Sequence, residues 1–411
     1  MSGPWSDGIA YPITALGKVC DLQLGKMLQP RPRAEADRPV QYLRAGSLAT
    51  LSREGFDLLE MYASSREINT YRVVEGDLVV AEGGDCGQTA LLPSVPPNVI
   101  IQNSLHRLRP TAGDVRFLRY ALEAIYYSGW LDVLCNKATF GHLTREKLAA
   151  LPIPNPAPTD QAVIADYLDQ ETARIDALVA AKLRLVNLLE ERLQATVERL
   201  VWWEGDELRP QVALRRLASR IDVGIAEATT HAYSEDGVVL LRSTNIRSNA
   251  LDLTETLRIA RWFADRNASK YIRTGDILTV RTGNVGASAV VPPDLDMCQC
   301  FTQLITTLRA GNLPEFICYA LNSGPAREYF RLSGWGSAQA NISVPLLAAA
   351  PVPLVPENGQ ASGLRQIERA TGPMARACDL LRRQVETLQE RRAAFVAAAV
   401  TGELEIPEVA G

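Results

Sequence analysis

Shifted by 199 residues, the chain overlays itself. "GDLVVAEGGDCGQTALLP" (76–93) falls on "GDILTVRTGNVGASAVVP" (275–292), and "HLTREKLAALPIP" (142–154) on "NISVPLLAAAPVP" (341–353). "LLEERLQATV" (188–197) falls on "TLQERRAAFV" (387–396). With a one-residue slip, "YLRAGSL" (42–48) matches "LLRSTNI" (240–246), and "ALGKV" (15–19) matches "ALRRL" (213–217). Chance agreement would not hold one offset over so many separate blocks. A repeat of this period means that two copies of one structural plan must fold from one chain.

Each copy reads as a mixed block followed by a helix. The blocks, 1–157 and 206–356, carry short β-rich runs such as "DLVVAEG", "NVIIQNSL", "DILTVRTG" and "CFTQLITTL", punctuated by Gly, Pro and Asn turns. Shorter helical stretches follow, "RFLRYALEAIYYS" and "EFICYALNSGPAREYF". Each block is of ordinary single-domain size. Proline straps, "LPIPNPAP" and "APVPLVP", then lead into the helical segments 158–205 and 357–411.

From Thr159 or Asp160, either of which suits an N-cap, the first helix runs to Trp203 without Gly or Pro. Leu168, Ile175, Lys182, Leu189 and Thr196 stand seven apart, and adding 199 gives Ile367, Met374, Leu381, Leu388 and Phe395. Leu178 and Leu185 suggest a partial second row. That is a coiled-coil-like seam in a shared register, weakened by Lys182 and Thr196. The alternative is two amphipathic helices, each packing on its own domain. A helix of this length spans about 65–70 Å. Gly363 and Gly372–Pro373 lead us to expect a bend or break in the second helix. Two duplicated halves related by a pseudo-twofold axis would set the helices antiparallel. The fold class is thus α+β, with two mixed domains joined by two long helices that form an antiparallel coiled-coil spacer.

No catalytic set emerges. There is no Walker A motif, no GxGxxG after a strand, no GxSxG elbow and no Asn-Pro-Pro-aromatic methyltransferase motif. The Gly-rich stretches "GGDCG" (83–87) and "RTGNVG" (281–286) sit in equivalent places after a strand, where a β-turn is the better reading than a phosphate loop. Seven scattered cysteines without a CxxC pair, and three histidines, exclude a conventional zinc site and point to reduced thiols in the cytoplasm. No apolar run reaches the roughly 18 residues of a membrane span, and no signal peptide is visible.

The formal charge of −4 hides an uneven distribution. Residues 1–157 carry 16 basic and 16 acidic side chains, and residues 206–356 carry 15 and 14. The acidity sits in 158–205, with 5 basic and 9 acidic side chains. The near-neutral blocks are therefore free to present a basic face to nucleic acid.

"LPIPNPAPTDQAVIADYLDQETARIDALVAAKLRLVNLLEERLQATV" resembles the central conserved region of specificity subunits of type I restriction–modification systems, with its proline strap, Gln-containing helix start and Ile-Asp-Ala-Leu segment. "LQERRAAFVAAAVTGELEIP" (388–407) resembles that family's distal conserved region. The resemblance implies a non-catalytic DNA reader. Each mixed block would be a target recognition domain for one half of a split site in double-stranded DNA. The helices would fix the gap and dock two modification (methyltransferase) subunits, which would carry the S-adenosylmethionine. A restriction (nuclease–translocase) subunit would join them. The chain itself is expected to hold no cofactor.

Phosphates are held by Arg, Lys, Ser and Thr, and bases are read by Arg, Asn and Gln. On that chemistry the candidates are Arg44, Gln88, Lys137 and His142 in the first copy, and Arg242, Asn245, Arg281, Asn284, Gln339 and Asn341 in the second. Arg44 and Arg242 recur in both copies, which also fits a fold-supporting ion pair. His142 and Asn341 precede a short helix, where capping competes with base reading. Trp202 and Trp203 read as packing residues. The competing function is a coiled-coil scaffold that assembles partners without reading DNA.

Overall fold

Prolines in the strap cannot donate to a ladder, so a strap can pair only as an edge. In the computed structural model, which describes residues 4–5, 9–49, 57–135, 142–333 and 341–406, that is how both straps are used. Pro152–Pro154 pairs antiparallel with Ile13–Ala15, and Pro351–Pro353 with Gln211–Ala213. The chain divides into two compact units, Met1–Leu183 with Arg383–Gly411 and Arg184–Arg382. Each holds one mixed block and part of each long helix.

Both units repeat one topology. The first has a four-stranded antiparallel sheet in the order Cys20–Leu24, Leu105–Pro110, Leu78–Ala81, Thr89–Leu91. The second has Ala218–Val223, Leu304–Leu308, Ile277–Thr279, Ser288–Val290 in the same order. A three-stranded sheet accompanies each: Leu59–Ala63, Arg38–Leu43, Ile100–Ile101 and Leu257–Ile259, Tyr233–Leu241, Gln299–Cys300. In both, the last strand pairs in parallel with the middle one. Leu78, Val80 and Leu108 pack under Leu118, Leu122 and Ile125 of the helix Val115–Tyr127. Ile277 and Leu304 pack under Phe316, Ile317 and Ala320 of the helix Pro314–Leu321.

A buried glutamine joins strap, domain and helix. Gln161 Nε2 donates to the Pro156 carbonyl at 3.0 Å, and its Oε1 accepts the Asp114 N–H at 3.1 Å. In the second unit Gln360 Nε2 donates to the Val355 carbonyl at 2.7 Å, and its Oε1 accepts the Leu313 N–H at 2.8 Å. All partners differ by 199. Gly113 makes the approach possible, since a Cβ there would lie 2.2 Å from Gln161 Oε1.

The long helices span Pro158–Trp202 and Glu357–Thr401, 45 residues each, about 67 Å at 1.5 Å per residue. The first starts one to two residues before the Thr159 or Asp160 cap expected from sequence. Proline fits the first helical position because its missing N–H would be unpaired there anyway. The second helix is continuous through Gly372 and Pro373, contrary to the expected break. Gly363 is a packing residue rather than a breaker. It stands where the first copy has Ile164, and a Cβ on it would meet Phe316 Cε2 at 2.9 Å.

Within each unit the helix segments run antiparallel. Lys182 Nζ donates to Gln384 Oε1 at 2.6 Å and Arg392 Nε to Asp176 Oδ1 at 2.8 Å in the first unit. Arg382 pairs with Glu190 in the second. Leu168 and Ile367 are buried, while Ile175, Leu189, Met374, Leu381, Leu388 and Phe395 are half-buried, so the first seam row is as expected. The second row is not. Leu178 and Leu185 are 46% and 45% exposed. The inward row is Thr172, Val179, Val186 and Leu193, matched at 199 by Thr371, Cys378, Val385 and Arg392. Thr172, Val186, Cys378 and Val385 are buried.

One further joint repeats. The Ala10 N–H donates to the Thr401 carbonyl at 2.9 Å in the first unit, and the Arg209 N–H to the Trp202 carbonyl at 2.8 Å in the second. Trp202 is fully buried and its Nε1 donates to Ser323 Oγ at 3.2 Å, which makes it a packing residue.

Two predictions follow from this packing. Val186→Ser should destabilise the protein by about 1–3 kcal/mol in chemical denaturation, while Leu185→Ser should stay within about 0.5 kcal/mol. Gln360→Ala, which strands the Leu313 N–H, should cost about 1–3 kcal/mol in the same measurement.

Candidate nucleic-acid interface

The two Gly-rich stretches are tips of equivalent hairpins, as the turn reading expects. One joins Leu78–Ala81 to Thr89–Leu91, the other Ile277–Thr279 to Ser288–Val290. Their backbone bonds coincide under the 199 shift. The Gly87 N–H donates to the Ala81 carbonyl and the Ala81 N–H to the Gln88 carbonyl, both at 2.9 Å. The Gly286 N–H donates to the Val280 carbonyl at 2.9 Å and the Val280 N–H to the Ala287 carbonyl at 2.8 Å. Gly87 (φ +88°) and Gly286 (φ +83°) occupy left-handed backbone that glycine adopts without strain. Each also lets the tip sit on an apolar side chain. A Cβ would meet Leu131 Cδ1 at 2.1 Å or Phe330 Cδ2 at 2.7 Å.

The turn before the strap is pinned to the hairpin. The Leu143 N–H donates to the Glu82 carbonyl at 2.8 Å, and the Ile342 N–H to the Arg281 carbonyl at 3.0 Å. Thr144 and Ser343 then cap the short helices Arg145–Ala149 and Val344–Ala349. Capping is therefore not the task of His142 or Asn341. Their side chains instead face the residue at the hairpin. His142 Nδ1 lies 3.6 Å from Glu82 Oε2, and Arg281 Nε donates to Asn341 Oδ1 at 3.0 Å. His142 and Asn341 are exposed.

The other candidates scatter. Asn284 is exposed at its hairpin tip, and Gln88, half-buried, closes the other hairpin through its backbone. Arg44 pairs with Asp57 at 3.0 Å, both 45% exposed, in line with the ion-pair alternative. Arg242 is half-buried, and its Nε has no hydrogen-bond partner among the described residues. Asn245 is a correction. It is 3% exposed, its Nδ2 donates to the carbonyls of Asp252 and Glu255, and its Oδ1 accepts the Arg242 N–H. It braces a loop and offers no edge to a ligand in this structure. Lys137 and Gln339 lie outside the described residues. Glu82 was missed by composition-led reading because a carboxylate does not suggest DNA; the 199 offset from Arg281 points straight to it.

Clefts of about 530 and 840 Å³ open beside the hairpins. The first is lined by Asp85, Asp132 and Tyr126, the second by Arg327, Arg331 and Glu328. Tyr126 donates to both Asp85 oxygens at 2.8 Å, and burial followed by that carboxylate pushes its pKa up. Burial likewise raises the thiols of Cys86 and Cys135, which disfavours thiolate chemistry. Among the described residues no cluster of His, Cys, Asp and Glu could hold a metal ion, and no helix is long and apolar enough to cross a membrane.

Residues 14–187 match the family model of the type I restriction modification DNA specificity domain. The specificity subunit of the type I restriction enzyme EcoBI from Escherichia coli is 23% identical over 264 residues, covering 57% of this chain and 54% of that subunit. The match thus spans about half the length of this curated relative. A solved chain from a study of complex assembly and conformational transition in a type I R-M system is 17% identical, with a TM-score of 0.66 over 96% of this chain and 98% of that one. That likeness is one of fold, and it extends over both copies. The resemblance drawn from the helical motifs is the one these comparisons find.

Asn245→Ala should destabilise the protein by about 1–3 kcal/mol, since it strands a backbone N–H. Asn284→Ala at the exposed tip should leave the melting temperature unchanged.

Proposed function

We propose that this chain, whose residues 14–187 match the family model of the type I restriction modification DNA specificity domain, is the non-catalytic specificity subunit of such a system. Each unit reads one half of a bipartite site in double-stranded DNA. The antiparallel helices set the gap and dock two modification subunits, which bring S-adenosylmethionine, and restriction subunits join that assembly in the cytoplasm. The observation that carries the reading is the doubled scaffold. Its backbone bonds coincide under a 199-residue shift, while the side chains at the hairpins differ: half-buried Glu82 against Arg281, and exposed Asp85 against Asn284 and His142 against Asn341. Two readers of different sequences on one frame would look like this. The exposed Leu178 and Leu185 are available to a docked subunit, which accounts for leucines that do not serve the seam.

The test is reconstitution with modification subunits from the same genome, followed by mapping of the methylated sites. A split sequence with a fixed gap is expected; contiguous sites would reject the two-reader model, and no binding to any duplex at low salt, even with the modification subunits present, would leave the scaffold reading instead. Arg242→Ala should weaken binding through one half-site alone. If Arg242 meets a phosphate, the slope of log K against log salt should fall by about 1.

A further inference from the structure

Positions 82 with 142, and 281 with 341, are the same pair seen twice. The backbone of each pair is held alike, through the 143-to-82 and 342-to-281 hydrogen bonds and the capped helix that follows. Several positions that brace the backbone keep the same residue in both copies. Gln161 and Gln360 do so at the helix starts. Asp77 and Asp276 do so before the hairpins, each accepting a backbone N–H at 2.8 Å, from Val74 and Arg273. The hairpin pair departs from this habit. Its scaffold is kept and its chemistry inverted, on side chains that reach solvent.

The inversion is between donors and acceptors. In the second unit Arg281 uses Nε on Asn341, and its two terminal nitrogens make no hydrogen bond among the described residues. The Asn341 amide nitrogen is likewise without a bond there. The pair therefore presents donors, held by a fixed guanidinium, to whatever lies outside. In the first unit Glu82 presents a carboxylate, an acceptor only, beside the 57%-exposed His142. The cleft beside the first hairpin is acidic, with Asp85 and Asp132, while that beside the second is mixed, with Arg327 and Arg331 set against Glu198 and Glu328. A carboxylate repels phosphate, so Glu82 does not serve as a backbone anchor. On a base edge, an Arg fork complements the O6 and N7 acceptors of guanine, and Glu accepts from the exocyclic amino group of cytosine.

Resting on the proposed DNA-reading function, we propose that these paired positions are the specificity-determining element of each half: Arg281 with Asn341 selects a guanine in one half-site, and Glu82 with His142 selects a cytosine in the other. Each half-site then contains one base pair whose identity is set by two side chains 60 residues apart in sequence.

The test uses the full chain co-assembled with its modification subunits, read out by methylation mapping and by selection from randomised duplexes. In the double variant Glu82→Arg with His142→Asn, one position of one half-site should change from cytosine to guanine, and the other half-site should be untouched. In Glu82→Gln, the cytosine preference at that position should fall by on the order of tenfold or more. Arg281→Gln should relax a guanine in the opposite half-site. The unaltered half-site is an internal control for folding, and Glu82→Gln serves where the double variant fails to assemble. Unchanged base preference in the variants overturns the inference while leaving the bipartite reading intact. So does an Arg281→Gln effect that weakens all sequences equally and lowers the salt slope, because that marks a phosphate contact. If the unmodified complex recognises no split sequence, the functional reading itself fails.

Discussion

The buried glutamine at the start of each long helix is the interaction on which the architecture turns. A strap of prolines can pair only as an edge, and a helix of 45 residues multiplies any error in its first turn over its whole length. Gln161 and Gln360 remove that freedom by bonding the strap carbonyl behind them and a domain N–H beside them. Both amide ends are used away from water, where an unmade bond is costly. The domain therefore fixes the direction in which its helix leaves.

The helices illustrate how far sequence reasoning reaches. The first seam row was legible from spacing alone, since Leu168 and Ile367 begin rows seven apart in both copies. The second row was not, because leucines attract the eye. Leu178 and Leu185 are large and apolar, yet close helix packing takes the smaller Thr172, Val186 and Cys378. Arg392 completes that row by pairing with Asp176 and Glu123 in a half-buried setting. No hydrophobicity scale would nominate an arginine for such a place. Comparison of the copies points to it, since Arg392 stands where the first copy has Leu193.

Candidate DNA-facing residues were legible in a similar partial way. Residue type found Arg281, Asn341 and His142, and the structure joins the first two to each other and the third to Glu82. Residue type also nominated Asn245, whose chemistry suits a base edge but whose amide is occupied by a loop. Short polar side chains serve turns and ligands with the same atoms, so composition cannot separate the two uses. Pairing the two copies helps, because it compares the partners as well as the residues: Ser47 stands opposite Asn245 and accepts the equivalent backbone N–H, from Arg44 as Asn245 does from Arg242.

The joint at Thr401 has a consequence for how such a chain is strung. In the second unit the strand that follows the helix end is tied to it by a hairpin, Trp203–Glu204 against Glu207–Leu208, and by the Arg209 bond to Trp202. In the first unit the same closure, Ala10 to Thr401, is made by a hydrogen bond between segments far apart in sequence. Closing the first unit therefore carries the entropy of a long loop, which the short hairpin of the second unit avoids.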